Sequence, residues 1–371
     1  MANIAGTERV MSDKINWLAE KGHQIILVTY EQGSHPLSFS LHSNVKVVDL
    51  DTRFFQLNCY PIYKRFWKYR RLKAVFAERL QKIIDEVSPD VIIATTYSMN
   101  IVEELSKIRT KAKKIMESHV ACNSVSKAYD YRSSFIMKNI VRLYDSYLFK
   151  KVDRFDKLVV LTEGDKKDWS RYVKNVIALP NPLTYYPEQK PSKNINHRIL
   201  CVGRLNEQKG FDLLIDAFAM IASKCPEWYI DIFGHGEEKQ ALLNQIKKNG
   251  LENRIHICNP TDSIYHEYEK SDFYVLSSRY EGFGLVLIEA MSCGTPCVAF
   301  DCNYGPNEII EDGVDGLLVK NGDIGELSKK MLWMMTHDKE RMEMGKKAYV
   351  SAARYNKEFV MQEWECTYIS A

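Results

Sequence analysis

Short apolar runs alternate along the chain with longer stretches whose apolar positions recur every three or four residues. The first kind suits buried parallel strands and the second suits amphipathic helices, so the pattern predicts parallel α/β units. In the first half, strands are expected at 24–30, 46–50, 90–96, 113–118, 157–162 and 175–180. A second series is expected at 197–204, 228–234, 254–260, 272–278, 296–300 and 316–319. A helix over 8–20 follows from Val10, Met11, Ile15 and Leu18, with Gly22 as its stop. Between the two series, residues 181–194 are rich in proline and polar side chains and read as an interdomain linker. Beyond about Asp323 the pattern is helical to the end of the chain.

The expected organisation is therefore two doubly wound, Rossmann-like domains, 1–182 and 183–355. A terminal segment, 356–371, is expected as a helix that folds back on the first domain. Two such domains should face each other across a cleft lined by the carboxyl ends of their strands. One place breaks the pattern. Only five residues precede Gly6, too few for a good strand, and the first strand of a doubly wound sheet is central. The expectation is a first domain without its opening strand, from a fragment or a mis-assigned start.

The densest chemistry lies at 281–289, EGFGLVLIE. Gly282 and Gly284 read as a turn and the apolar run after them as a short helix, so Glu281 falls on the turn. Glu289 falls inside the helix, at about 3.6 residues per turn. A helix start offers unpaired N–H groups and a positive dipole end, a seat for phosphate. Carboxylates before and after that seat can accept hydrogen bonds from sugar hydroxyls, which suits a nucleotide-sugar.

Other segments are less specific alone. CVGRLNEQKG (201–210) follows a strand, and Arg204 and Lys209 are suited to a diphosphate or equally to solvent. FGHGEEK (233–239) is another strand–turn–helix junction, where His235 reads as a turn residue. ESHVAC (117–122) puts His119 at a strand end, either to bond a sugar hydroxyl or as a structural histidine. IAGTERV (4–10) joins Gly6 to a Thr7 cap. In YGPNEII (304–310), Gly305-Pro306 turns into a helix. The stretch 60–76 interleaves Lys64, Arg65, Lys68, Arg70, Arg71 and Lys73 with Phe66, Trp67 and Tyr69. It suits an anionic membrane face, nucleic acid or a phosphorylated acceptor, or it is a basic solvated face.

Composition narrows this further. Net charge is +3, yet residues 1–182 hold 30 Lys+Arg against 20 Asp+Glu and the remainder hold 21 against 28. An anionic partner is expected for the first half. Nine scattered cysteines without a C-x-x-C pair read as reduced thiols, not zinc ligands. Neither a membrane span nor a signal peptide is expected. P-loop, zincin and serine-hydrolase motifs are missing from the sequence.

Together, IAGTERV, ESHVAC, CVGRLNEQKG, FGHGEEK, EGFGLVLIEAMSCGTPCVAF and NYGPNEIIEDGVDGLLV resemble glycosyltransferase family 4, retaining enzymes of the GT-B fold. The likeness is very specific in the second domain and looser in the first. It implies that Arg204 and Lys209 hold and stabilise the departing diphosphate and that Glu281 binds donor-sugar hydroxyls. Backbone from Phe283 through Gly284 and Leu285 to Val286 would hold sugar and phosphate. Glu289 would grip the ribose, and the base would lie near Asn259 and Pro260. His119 would reach the donor sugar, and Gly6 would let its loop lie against phosphate and acceptor. The resemblance implies no metal and no other cofactor.

The expected function is transfer of a hexosyl unit from a nucleotide-sugar, UDP-linked, to a glycan with retention of configuration. The acceptor is expected to be lipid-diphosphate-linked, in surface polysaccharide assembly. The protein would be cytoplasmic, in peripheral contact with the anionic inner face of the plasma membrane through 60–76, and would bind no nucleic acid. Rival readings are a nucleotide-sugar epimerase or phosphorylase of the same architecture, and a truncated remnant that binds nucleotide without turnover.

Overall fold

Every expected strand forms in a computed structural model of the chain, most a little shorter than their apolar runs, while the strands at Cys297–Asp301 and Gly316–Lys320 each run one residue past the expected end. Residues 6–95, 101–122, 146–189 and 195–369 are described. The chain opens α1 (Gly6–Glu20), β1 (Ile26–Thr29), β2 (Lys46–Asp49), α2 (Ile62–Val87), β3 (Val91–Thr95), α3 (Val102–Lys107), β4 (Lys113–Glu117), β5 (Lys157–Val160), α4 (Glu163–Trp169), β6 (Val176–Ala178). It continues β7 (Arg198–Val202), α5 (Phe211–Ala219), β8 (Tyr229–Phe233), α6 (Lys239–Lys248), β9 (Ile255–Cys258), α7 (Ile264–Glu269), β10 (Phe273–Leu276) and α8 (Leu285–Ser292). The last elements are β11 (Cys297–Asp301), α9 (Pro306–Ile309), β12 (Gly316–Lys320), α10 (Ile324–Thr336), α11 (Asp338–Ala352) and α12 (Lys357–Ile369).

The chain divides into two compact units. The first comprises Met1–Leu161, Asp165–Leu179 and Met361–Ala371, and the second Thr162–Gly164 and Pro180–Val360. Of the stretch 181–194, expected as an interdomain linker, residues 181–189 are described, and they fall in the second unit, which takes up the chain at Pro180. Asn181 and Leu183 are buried, Leu183 N–H donates to the Tyr355 carbonyl, and the Tyr186 and Tyr349 rings stack at 4.9 Å. Two tyrosines and a leucine among the prolines give this segment enough apolar surface to pack within the second unit.

The second unit holds a six-stranded parallel sheet in the order β12-β11-β10-β7-β8-β9. From β7 the chain winds one way through β8 and β9, then returns beside β7 and winds the other way. The switch point therefore lies between β7 and β10, and ligands of such sheets bind beyond the carboxyl ends of strands at that point. The sheet is buried on both faces, with all four residues of β10 inaccessible; Phe218 and Met331 from the helices and Trp228 from the loop before β8 add to the core.

In the first unit β1 pairs only with β2, in parallel, and β3-β4-β5-β6 form a separate parallel sheet. Among the described residues no strand joins β1 to β3, and none precedes α1. Both sheets pack against one core built around Phe76, Leu105, Met116 and Trp169. On β3, Ile93 is 37 % exposed. Thr7 does not cap α1, as its motif suggests. The helix already starts at Gly6 and Thr7 lies in its first turn.

Candidate functional site

The second unit builds its site from two loops that leave neighbouring strands at the switch point. After β7, Gly203 and Arg204 lead into a short 3-10 turn, Glu207–Lys209. The Asn206 side chain caps that turn by accepting from Lys209 N–H. After β10, Ser277 to Gly284 lead into α8. The loops are stitched together. Arg279 clasps Asp212 through both carboxylate oxygens, at 2.8 and 2.6 Å, and donates to the Glu207 carbonyl. Arg279 N–H donates to the Gln208 carbonyl, the Gln208 amide to the Tyr280 carbonyl, and the Ser277 hydroxyl to the Lys209 carbonyl.

This stitching brings Lys209 Nζ to 2.6 Å from Glu281 Oε1, an oxygen that also accepts from the Ser278 hydroxyl at 2.6 Å. Both side chains are largely buried. Neither charge could be buried alone without a large desolvation cost, so the pair and the serine hold each other in place. Gly203 makes room for the lysine: a methyl there would meet Lys209 Cδ and Cε at 3.2 Å.

Gly284 follows at φ +96°, a conformation that L side chains rarely adopt, and starts α8 without any side-chain cap. Gly284 has no side chain with which to cap the first N–H groups of α8, and the helix presents its positive end three residues after Glu281. Phe283 is buried, and Leu285 and Val286 are half-buried on the first turn. Glu289, one turn further on, accepts from the Tyr268 hydroxyl at 3.1 Å. Tyr268 is inaccessible, and burial followed by the Glu289 charge pushes its phenol well above the ordinary range, so it stays a donor. Arg204 is exposed just after β7, and Asn259 and Pro260 are exposed just after β9. Lys209, Glu281, Phe283, Gly284, Leu285, Val286 and Glu289 thus lie on the two loops and the helix at the switch point. Arg204, Asn259 and Pro260 follow strands of the same sheet on its carboxyl side.

The Ser278, Arg279, Gln208 and Tyr268 contributions are not visible in the spacing of the motifs. Position after a strand at the switch point is the signal that marks the first two, once the strand order is known. His235 is an exposed turn residue whose carbonyl accepts from Leu205 N–H.

In the first unit His119 follows β4, and Gly6 opens α1 and is exposed. His119 Nε2 lies 3.0 Å from Glu117 Oε2, which also accepts from Lys14 Nζ at 3.0 Å; Tyr368 donates to the other oxygen. Burial alone would raise the Glu117 carboxyl. The Lys14 charge, His119 and the Tyr368 hydrogen bond outweigh it and hold the group at about 2. Burial draws the Lys14 ammonium down to about 8 against the pull of Glu117. Asp49-Leu50-Asp51 has a spacing that could suit a cation. Asp49, however, accepts from Gly33 N–H and the Thr29 hydroxyl at 2.9 Å, and Asp51 pairs with Arg53. All nine cysteines are free thiols.

Two Rossmann-like units, the second with a doubly wound sheet, are the build of the GT-B glycosyltransferases. More particularly, residues 186–351 match the family profile of glycosyl transferases group 1. Along nearly its whole length the chain is similar to an uncharacterized glycosyltransferase of Haemophilus influenzae, 29% identical over 98% of this chain and 96% of that one. It is 27% identical to the amylovoran biosynthesis glycosyltransferase AmsD of Erwinia amylovora, again over 98% and 96%. The GalNAc-alpha-(1->4)-GalNAc-alpha-(1->3)-diNAcBac-PP-undecaprenol alpha-1,4-N-acetyl-D-galactosaminyltransferase of Campylobacter jejuni is 26% identical over 98% of this chain and 94% of its own. Among solved structures, sucrose-phosphate synthase from Thermosynechococcus elongatus superposes with a TM-score of 0.79 at 19% identity, covering 99% of this chain and 93% of that one. Anabaena HepE in complex with UDP and glucose gives 0.73 at 18%, covering 100% and 98%.

Proposed function

We propose that this glycosyltransferase moves a hexosyl unit from a UDP-sugar to a hydroxyl of a lipid-diphosphate-linked glycan, with retention of configuration and without a metal. The observation that carries the donor half is the Lys209–Glu281 pair beside the uncapped start of α8, with Glu289 a turn behind it. A diphosphate seated on the first N–H groups of α8 draws Lys209 away from Glu281 and meets Arg204 at the end of β7. Glu281 then has an oxygen for hydroxyls of the transferred sugar, and Glu289, steadied by Tyr268, takes the ribose. The base lies against Asn259 and Pro260. The bond between the anomeric carbon and the phosphate oxygen breaks, and the acceptor oxygen bonds to that carbon on the same face. The acceptor proton passes to a departing phosphate oxygen. Two cations and a helix terminus carry the leaving-group charge, the work a metal ion does elsewhere.

Two relatives support the substrates: the Anabaena structure holds UDP and glucose, and the Campylobacter enzyme's name specifies an undecaprenol-diphosphate glycan. Among the described residues no helix is long and apolar enough to cross a membrane. On α2, however, Tyr63, Phe66 and Trp67 are exposed on one face, beside exposed Lys64, Lys68 and Arg71. That combination suits peripheral contact with the anionic cytoplasmic face of the plasma membrane, where such an acceptor would be met.

The test is incubation of the intact protein with a panel of nucleotide-sugars and lipid-linked acceptors. Glycosylated product is expected with UDP-sugars and without added metal. Lys209→Ala is expected to lower kcat by about 10²- to 10³-fold, as for loss of one fixed charge-stabilising donor. Unchanged turnover in both Lys209→Ala and Glu281→Ala would overturn the site.

A further inference from the structure

Outside the donor site, one buried polar cluster has an unfilled valence. Glu117, the last residue of β4, is 1% exposed and sits at the meeting of α1, the β4 end and α12. Lys14 from α1 reaches one of its oxygens, and its ammonium lies 3.0 Å from the centre of the Trp364 ring. Tyr368 from α12 donates to the other oxygen. His119 brings Nε2 to the first oxygen, while its Nδ1 is buried without a hydrogen-bond partner among the described residues. Buried nitrogens without a partner are rare and each calls for a physical reason.

The Glu117 carboxyl, held far below its ordinary range, stays ionised and can only accept. The hydrogen bond to His119 therefore needs the proton on Nε2. In the neutral ring this leaves Nδ1 as a bare lone pair. Lys14 and Tyr368 occupy the carboxylate from the other sides, so it cannot turn to release the ring.

We propose that Glu117 is a positioning residue that fixes His119 as the Nε2–H tautomer, presenting buried Nδ1 as an acceptor for a sugar hydroxyl. The ligand half rests on the glycosyl-transfer reading above; the tautomer half does not. A hydroxyl fits because it brings the donor that Nδ1 lacks, whereas a phosphate oxygen would set two lone pairs against each other. Lys14 and Tyr368 serve the ring at one remove, which gives α12 a part in a site whose histidine lies far from it in sequence.

The test uses the full chain with ¹⁵N-labelled histidine, the His119 resonances being identified by their loss in His119→Asn. The expected spectrum shows Nε2 protonated and Nδ1 bare. Glu117→Gln, whose amide can both donate and accept, is expected to give a mixture of tautomers with an unchanged circular dichroism spectrum. Its kcat should fall by about 10- to 100-fold, the usual scale for losing an outer-shell partner, with little change in donor KM. A protonated Nδ1 in the native protein overturns the inference, and needs no variant to fold. So does a folded Glu117→Gln that keeps one fixed tautomer. UDP-glucose, and not UDP alone, should shift the Nδ1 resonance. Failure of that arm alone counts against the glycosyl-transfer reading, and failure of the tautomer arm counts against this inference.

Discussion

Lys209 and Glu281 are 72 positions apart in the chain and 2.6 Å apart in space. In the proposed donor site the pair would be a competitor, since a phosphate would have to win the ammonium from a carboxylate that cannot leave. Tyr268 acts on the neighbouring carboxylate. Tyr268→Phe removes one hydrogen bond from Glu289 at a cost of about 1 kcal/mol, and a several-fold rise in donor KM with kcat nearly unchanged is expected from steady-state kinetics. Acid tests the buried Glu117 carboxylate. The Glu117 group is depressed from 4.5 to about 2 in the fold, so the stability it contributes is whole above pH 4.5 and is lost as pH falls toward 2. An acid titration followed by tryptophan fluorescence is expected to show the native protein losing stability over that window. Folded Glu117→Gln should lack that component. At this scale the residue types were readable: Lys209, Glu281, Glu289 and His119 stand out by motif. Their partners did not, because Ser278, Tyr268 and Tyr368 are ordinary residues until the fold brings them within hydrogen-bond reach.

Elements were the most readable level. Strands buried on both faces have no polar side to blur their apolar runs, and helices between them keep one polar stripe, so both periods survive in the sequence. The proline-rich, polar composition of 181–194 does not show which of its residues pack; Leu183 and Tyr186 do. Gly203→Ala probes a junction between elements. The added methyl presses on the lysine stem at 3.2 Å without straining the backbone, so the fold should persist within about 1 kcal/mol while calorimetry shows weaker UDP binding. The exposed aromatic and basic face of α2 gives a second test. Sedimentation with anionic vesicles is expected to carry the protein down and neutral vesicles to leave it in solution. Trp67→Ser combined with Lys64→Glu and Lys68→Glu should abolish the difference; equal sedimentation with both lipids would sink the membrane reading.

At the scale of the molecule, the strand order of the second unit could not be taken from the sequence, yet it is what puts two loops side by side at one point of one sheet. The sequence leads one to expect the last helix on the first unit, but not which of its side chains close that unit's core. Trp364 and Tyr368 cover Lys14 and Glu117, and the backbone carbonyls of Thr367 and Ile369 take Lys157 and Lys113. The order of assembly on the ribosome is affected. Pro180–Val360 is an almost uninterrupted stretch and can collapse as it emerges. The unit made first must wait for Met361–Ala371, which begins about 180 residues after Leu179. At roughly 5–20 residues per second that wait lasts on the order of 10–40 s. For that time an unburied lysine and glutamate keep the earlier half open, so the half synthesised first is the half that finishes folding last.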